Sequence, residues 1–325
     1  MKRFANSFTR RAILFSVLLL IVFFFTACAK KPAETKPTVR IGYLNIVASL
    51  PLFVAEERGF FKDAGIQYDA TVIATSNQLV DAIVAGNLDC YIESSAVPVL
   101  AVELQSPGKL RVFSVSEITS QAPFDALLVK EDSSIKRLPE LSGKRIGVFP
   151  GSTATNLLKK YLKDQGVDVS SITFVPLPPT NQLTALIQGA IDALHAYEPT
   201  TAIAMAKGGV RQLFGSAYAA MLSPNPQGVA AVSAEFIKKH PDTAAKVVSA
   251  FERAMVFMKE RDAETRQILA KKMGLSEDVA KRCVFLYMLP HNQIPADIFQ
   301  RYSDMLTDLG ELSGKVKVAG LLYHK

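Results

Sequence analysis

The residues best suited to chemistry fall in four short clusters. Pro150-Gly151-Ser152-Thr153-Ala154-Thr155 puts small residues and hydroxyls at the head of an apolar-periodic stretch, so it reads as a turn from strand into helix. Such a turn directs backbone N–H groups outward, and the helix dipole places partial positive charge there. Ser152, Thr153 and Thr155 add donors around Ala154, which suits a sulfonate, carboxylate or nitrate without an arginine; the same residues also serve as a plain helix cap. No Gly-Lys-Ser/Thr follows, so the turn is not a P-loop. Asn45 and Ser49, just before Pro51, form an equivalent turn earlier in the chain. Glu93-Ser94-Ser95 and His195-Ala196-Tyr197-Glu198 each leave an apolar strand, and their carboxylates suit an amine or an amino-heterocycle. His195 is either a donor to an anion or a buried structural histidine. Glu198 either meets the solute or braces a hinge. Asp125 and Asn225, in the turn-rich segments SQAPFD and SPNPQG, reach the same region or act as turn residues.

Catalysis is not indicated. The four histidines, 195, 240, 291 and 324, have no i,i+4 pairing and no Cys-x-x-Cys partner for a metal. No G-x-S-x-G elbow is present, and nothing in the spacing of Ser152, His195 and Glu198 supports a triad. Cys90 and Cys283 sit in the apolar contexts LDCYI and RCVFL and read as core residues. No cofactor and no metal is expected.

The elements that must position these clusters recur. VRIGYL, from Val39, is β-branched and apolar like a buried parallel strand, and Pro51 suits a first helical turn. Arg40-Ile41-Gly42 returns as Arg145-Ile146-Gly147, 105 positions on, and Asn77-Gln78-Leu79 returns as Asn181-Gln182-Leu183, 104 positions on. Asp89 and Asp192 stand at matching points, each before another apolar strand. The pattern predicts an α/β fold of two doubly wound lobes about a central cleft, joined by two crossovers at 120–125 and 215–227, with a mostly helical C-terminal part. Lobe 1 is assigned to 39–120 plus 228–325 and lobe 2 to 121–227. Ligands of open α/β sheets bind at the carboxyl edges of the strands, where the clusters lie. Further along, Ser76 is expected to cap a helix ending before Gly86, and a helix is expected over 276–286.

The first 27 residues read as a lipoprotein signal peptide. Lys2, Arg3, Arg10 and Arg11 form its basic head, and Ala12 to Phe25 is an apolar run of 14 residues, short for a membrane span. Phe25-Thr26-Ala27-Cys28 resembles a lipobox, with Phe where Leu is usual, so Cys28 is the expected lipidation site. Residues 28–38 are polar and carry Pro32 and Pro37, as a tether would. Four of the 37 basic residues lie in the leader, leaving 33 against 30 acidic, a net +3. With no basic stripe, nucleic acid is excluded as a partner.

The run GYLNIVASLPLFVAEERGFFKDAGI, then AIVAGNLD, GKRIGVFPGSTATNLL, GAIDALHAYEP and FIKKHPD, resembles the substrate-binding proteins of ABC importers, in the branch that takes sulfonates, taurine, nitrate and thiamine-precursor pyrimidines. The resemblance spans residues 38 to 262. It implies solute contacts at Asn45, Ser49 and Leu50, and it matches Tyr197, Glu198 and Pro199 to a recurrent Glu-Pro beside an aromatic residue. It further implies an extracytoplasmic, lipid-anchored monomer that closes on a small organic anion or zwitterion and hands it to an ABC permease and its ATPase. A thiamine-precursor pyrimidine or another amino-heterocycle is the alternative ligand. An envelope enzyme and a sensor lipoprotein are the alternatives of other classes.

Overall fold

The computed structural model describes residues 37–324. The chain divides into Met1–Pro37 and Thr38–Lys325, and the architecture below is that of the second unit. The expected signal peptide, Cys28 and the tether as far as residue 36 lie outside the described residues.

The first sheet contains β1 (Thr38–Tyr43), β2 (Gln67–Val72), β3 (Cys90–Ser95), β4 (Leu110–Ile118), β10 (Asn225–Ser233) and β11 (Tyr287–Pro290), in the order β11-β4-β10-β3-β1-β2. The second contains β5 (Asp125–Lys130), β6 (Arg145–Val148), β7 (Thr173–Pro176), β8 (Ala193–Tyr197) and β9 (Val210–Phe214), in the order β7-β6-β8-β5-β9. The two sheets share one plan. β2-β1-β3 are parallel, as are β7-β6-β8. Each trio is then joined by one antiparallel strand, β10 or β5, and that strand is the first the chain forms on entering the sheet from the other. The two crossings thus run from Ile118 to Asp125 and from Phe214 to Asn225.

Helices connect the parallel strands: α1 (Leu50–Glu57), α2 (Phe60–Asp63), α3 (Ser76–Val84) and α4 (Ala96–Gln105) in the first half, α5 (Ser152–Asp164), α6 (Pro179–Ile187) and α7 (Thr200–Lys207) in the second, while α8 (Ala217–Met221) lies in the second crossing. Strand alternation decides which side each residue covers. Leu127 and Val129 of β5 pack with Leu158 and Leu162 of α5, whereas Leu128 packs with Leu186 of α6 and Ala204 of α7 on the opposite face. The C-terminal part holds α9 (Ala234–Lys239), α10 (Pro241–Glu260), α11 (Asp262–Met273), α12 (Glu277–Arg282) and α13 (Ala296–Asp308). Phe251 of α10 meets the Phe61 ring edge-on at 5.3 Å and stacks on Phe113 at 5.7 Å, joining this part to the first sheet.

The repeated tripeptide has a physical cause. The Arg40 N–H donates to Asp89 Oδ2 at 2.8 Å, the Asp89 N–H donates to the Arg40 carbonyl at 2.9 Å, and Arg40 Nη2 donates to Asp89 Oδ1 at 2.6 Å. Arg145 and Asp192 repeat all three at 2.8, 2.8 and 2.9 Å. Each arginine also reaches the carbonyl of the glycine that ends the intervening helix, Gly86 or Gly189. The third residue must be small: a Cβ on Gly42 would sit 2.5 Å from Leu79 Cδ2 and Leu88 Cδ1, and one on Gly147 would sit 2.5 Å from Ile191 Cδ1.

Two local expectations change. Thr75, not Ser76, caps α3, its Oγ1 accepting from the Gln78 N–H at 3.2 Å; Ser76 Oγ instead accepts from the Ser95 N–H at 2.9 Å. The helix expected over 276–286 stops at Arg282, and Tyr287–Pro290 becomes β11. Arg266 Nη1 donates to the carbonyls of Ala280, Lys281 and Cys283, meeting the acceptors that the ended helix leaves open. Pro290 is tolerated because β11 is the edge of its sheet.

Replacing Asp89 by alanine strands the Arg40 N–H and guanidinium and should cost about 1–3 kcal/mol in urea denaturation. Asp192→Ala should cost less, because its carboxylate is 31% exposed against 10% for Asp89. Equal losses would show that the repeated pair is not governed by solvation.

Candidate functional site

The helices that follow β2, β3 and β6 begin at one place. Ser76 and Asn77 open α3, Ser95 caps α4 through its Oγ to the Val97 N–H at 3.3 Å, and Gly151 precedes α5. All of them line one cavity between the two sheets, together with Thr153 and Ala154. Its empty volume is ≈ 610 Å³ with the open mouth included. The two sides approach closely: a Cβ at Gly151 would lie 3.8 Å from Asn77 Oδ1 and from Thr75 Cβ. No side chain caps α5, so its first N–H groups remain as donors. No lysine, arginine or histidine is among the described residues that line the cavity.

The rest of the wall is aromatic and apolar. Phe124 stacks on Tyr197 at 5.9 Å, Phe149 tilts against Tyr197 at 5.5 Å, and the Tyr197 and Tyr218 hydroxyls are 2.6 Å apart. Burial raises the ionisation of both tyrosines above the ordinary phenol range, so both stay neutral donors. Leu44, Ile46, Ile118 and Leu286 close the apolar side. From β10, Gln227 Nε2 donates to Ser95 Oγ at 3.2 Å while its Oε1 accepts from Tyr302.

Glu93 is the only carboxyl in this lining, and its backbone is unusual. It has φ +62°, alone among the non-glycine residues described, and this break in strand alternation lets Glu93, Ser94 and Ser95 all line the cavity. The residue is 6% exposed, and Ser116 Oγ lies 2.6 Å from its Oε2. A Cβ at position 228 would fall 1.9 Å from Glu93 Oε1, so the glycine there leaves room for the carboxyl in its present position. Burial pushes the carboxyl up to about 8, only partly offset by the Ser116 bond.

Of the residues singled out from the sequence, Glu93, Ser94, Ser95, Thr153, Ala154 and Tyr197 line this cavity. The others lie elsewhere. Asn45 faces solvent while its neighbours Leu44 and Ile46 turn inward. Ser49 and Leu50 are fully buried at the start of α1. Ser152 is exposed and Thr155 half-buried, since each helical residue turns about 100° from the last. His195 lies behind Tyr197 on β8 and has a structural setting: Nε2 is 2.8 Å from Asp125 Oδ2, and Asp125 also accepts from Ser216 Oγ and, at 2.9 Å, from the Ala217 N–H. Glu198 accepts from the Ala202 N–H at 3.3 Å, and burial raises its carboxyl above the usual range. The Val47 N–H donates to the Glu198 carbonyl at 3.3 Å, a strut between the halves. Asn225 Nδ2 donates to the Tyr218 carbonyl at 2.8 Å.

Phe124, Phe149, Tyr218, Ser76, Asn77 and Gln227 also line the cavity, a role that their sequence contexts do not single out. Asn77 stands in the repeated Asn-Gln-Leu, Phe149 precedes the Pro-Gly-Ser-Thr turn, and Phe124 and Gln227 lie in the two crossing segments. The two described cysteines are free and buried, and burial raises the Cys283 thiol to about 12, the opposite of an activated nucleophile. Among the described residues no cluster of histidine, cysteine and carboxylate could hold a metal.

Residues 47–265 match the family described as NMT1/THI5 like. A putative aliphatic sulfonates-binding protein of Bacillus subtilis (strain 168) is 27% identical over 292 residues, covering 86% of this chain and 84% of its own. Among solved structures, the periplasmic aliphatic sulphonate binding protein SsuA from Escherichia coli superposes with a TM-score of 0.69 at 20% identity, over 88% of this chain and 92% of that one. The two-lobed architecture is thus that of periplasmic binding proteins. The desulfurization enzyme DSZB shares the fold, with a TM-score of 0.65 at 18% identity over 88% and 97% of the two chains.

A carboxyl raised in the folded state contributes stability that is present at low pH and lost as pH rises through about 8. Denaturation midpoints of the ligand-free protein should therefore fall, relative to Glu93→Gln, as the pH is raised from about 4.5 to about 8, and level off above it. Parallel curves for the two proteins would show that Glu93 ionises as an ordinary surface carboxyl.

Proposed function

We propose, from the premise that this chain belongs to the NMT1/THI5-like family, that it is the solute-binding component of an ABC importer and holds a small organic anion or zwitterion in the cavity between its two lobes. One observation carries this reading: three helix N-termini open on a cavity with no basic side chain among the described residues of its lining. Dipoles and neutral donors then hold the negative charge. The anionic group sits at the first turn of α5 against Thr153 and Ala154, with Ser76, Asn77 and Ser95 opposite. Leu44, Ile46 and Phe149 take the apolar remainder, and closing the lobes removes it from water. The sulfonate-binding homologue supports a sulfonate-like ligand. The chain acts outside the cytoplasm, tethered through a lipid on Cys28, and a separate permease and ATPase move the solute. It performs no turnover, a reading supported by its homologues and by its raised, buried thiols.

The wall of Phe124, Phe149, Tyr197 and Tyr218 favours a second reading, a planar amino-heterocycle such as a thiamine-precursor pyrimidine stacked on these rings.

A thermal-shift screen of ethanesulfonate, taurine, nitrate, bicarbonate and a hydroxymethyl-aminopyrimidine separates the readings, since a bound ligand raises the melting point by mass action. Sulfonate or nitrate should give the largest shift; a shift with the pyrimidine alone selects the second reading, and no shift removes both. Thr153→Ala should weaken the best ligand roughly two- to tenfold, as expected for one lost hydrogen bond, with a smaller effect from Ser152→Ala. Metabolic labelling with palmitate should mark the chain in a bacterial host, and Cys28→Ala should abolish the label.

A further inference from the structure

The cavity has a second electrostatic requirement. Glu93 shares it with the helix ends, and the groups around Glu93 supply no positive charge. Its own strand contributes the buried Tyr91 hydroxyl, β4 contributes Ser116 and, next to it, Glu117, and β10 contributes Gln227 and Gly228. α13 contributes Tyr302 through Gln227, and the opposite lobe contributes Tyr197 and Tyr218. The phenols are neutral, and burial also hinders ionisation of Glu117. Each helix end favours one negative charge in the cavity. A second, on Glu93, would face the first with no cation between them, and two like charges in one site cannot both remain ionised without a large cost.

We propose that the cavity binds its oxyanion together with one proton on Glu93, whose neutral carboxyl donates its O–H to the solute. The proposal rests on the solute-binding reading above and narrows it to anions taken up with a proton. The geometry suits the role. Ser116 bonds one carboxyl oxygen, Oε2, and leaves Oε1 over Gly228, where the absence of a side chain admits it. The positive φ of Glu93 turns the carboxyl into the cavity where regular strand geometry would alternate it away from Ser94. Glu93 is then a specificity-determining residue. It accepts an oxyanion below its own ionisation and repels one above it, without the lysine or arginine that would bind any anion at any pH.

The test is the pH dependence of Kd for ethanesulfonate and nitrate, whose charges do not change between about pH 6 and 10, measured by calorimetry on the full mature protein. Wild type should hold a constant Kd in the lower part of this range and weaken toward ~tenfold per pH unit above about 8, the slope of one linked proton. Glu93→Gln, whose amide N–H can donate in place of the acid, should flatten the profile. Glu93→Leu should both flatten it and weaken binding at every pH. A wild-type Kd that is flat, or that tightens as pH rises, overturns the inference, as does a Glu93→Gln profile that keeps the wild-type slope. If taurine or the pyrimidine binds while ethanesulfonate and nitrate do not, this inference falls and solute capture stands. If nothing in the panel binds, the solute-binding reading itself falls.

Discussion

Three helices start where parallel strands end, and everything the cavity can do depends on that coincidence. A helix leaves its first N–H groups without internal partners, and in this fold the starts of α3, α4 and α5 meet on one space, the first two capped by Thr75 and Ser95 and the third uncapped. The parallel trios β2-β1-β3 and β7-β6-β8 enforce the meeting, because each strand must return through a helix whose start lies at the carboxyl edge of the sheet. Neither half makes the cavity alone. The first contributes the starts of α3 and α4 and the carboxyl of Glu93, and the second contributes the start of α5 and most of the aromatic wall.

The same arrangement explains why the acidic side chains that brace or line it divide into two kinds. Asp89, Asp125 and Asp192 have their acceptor oxygens occupied: two pair with arginine and a strand N–H, and Asp125 takes His195, Ser216 and the Ala217 N–H. They hold the sheets and the crossing in place. Glu198 belongs with them: its carboxyl accepts from the Ala202 N–H of α7, while its carbonyl takes the Val47 N–H from the other half. Glu93 is different. Its one strong side-chain partner is a hydroxyl, its backbone is held at positive φ, and an opposing glycine makes room for it. Strain and an unpaired acid at the wall of a cavity are features that packing alone does not require.

The shared fold with DSZB shows that this architecture also carries chemistry. In the present chain burial raises the thiol of Cys283, and His195 bonds Asp125 behind the aromatic wall. The described side chains at the cavity are hydroxyls, amides, aromatic and apolar groups and the Glu93 carboxyl.

Sequence by itself determined the plan. The spacing of Arg40-Ile41-Gly42 and Asp89 against Arg145-Ile146-Gly147 and Asp192 reports two like-wound halves, because each pair closes one strand-helix-strand unit by local bonds that any matching chain must make. The hydroxyl-rich turn after Pro150 and the Glu93-Ser94-Ser95 cluster were legible for the same reason, since strand ends and helix starts leave a local signature. Facing was not legible. Ser152 and Thr153 are neighbours of like chemistry, yet only Thr153 lines the cavity. Asn45 gives way to Leu44 and Ile46 because the loop turns through Val47–Ser49 and is tied to Glu198 of the other half. Phe124, Phe149 and Tyr218 become a wall only when segments from opposite sides of both crossings meet. Contact between halves is a property of the closed chain, and which of two adjacent side chains faces it depends on rotations that residue type does not record.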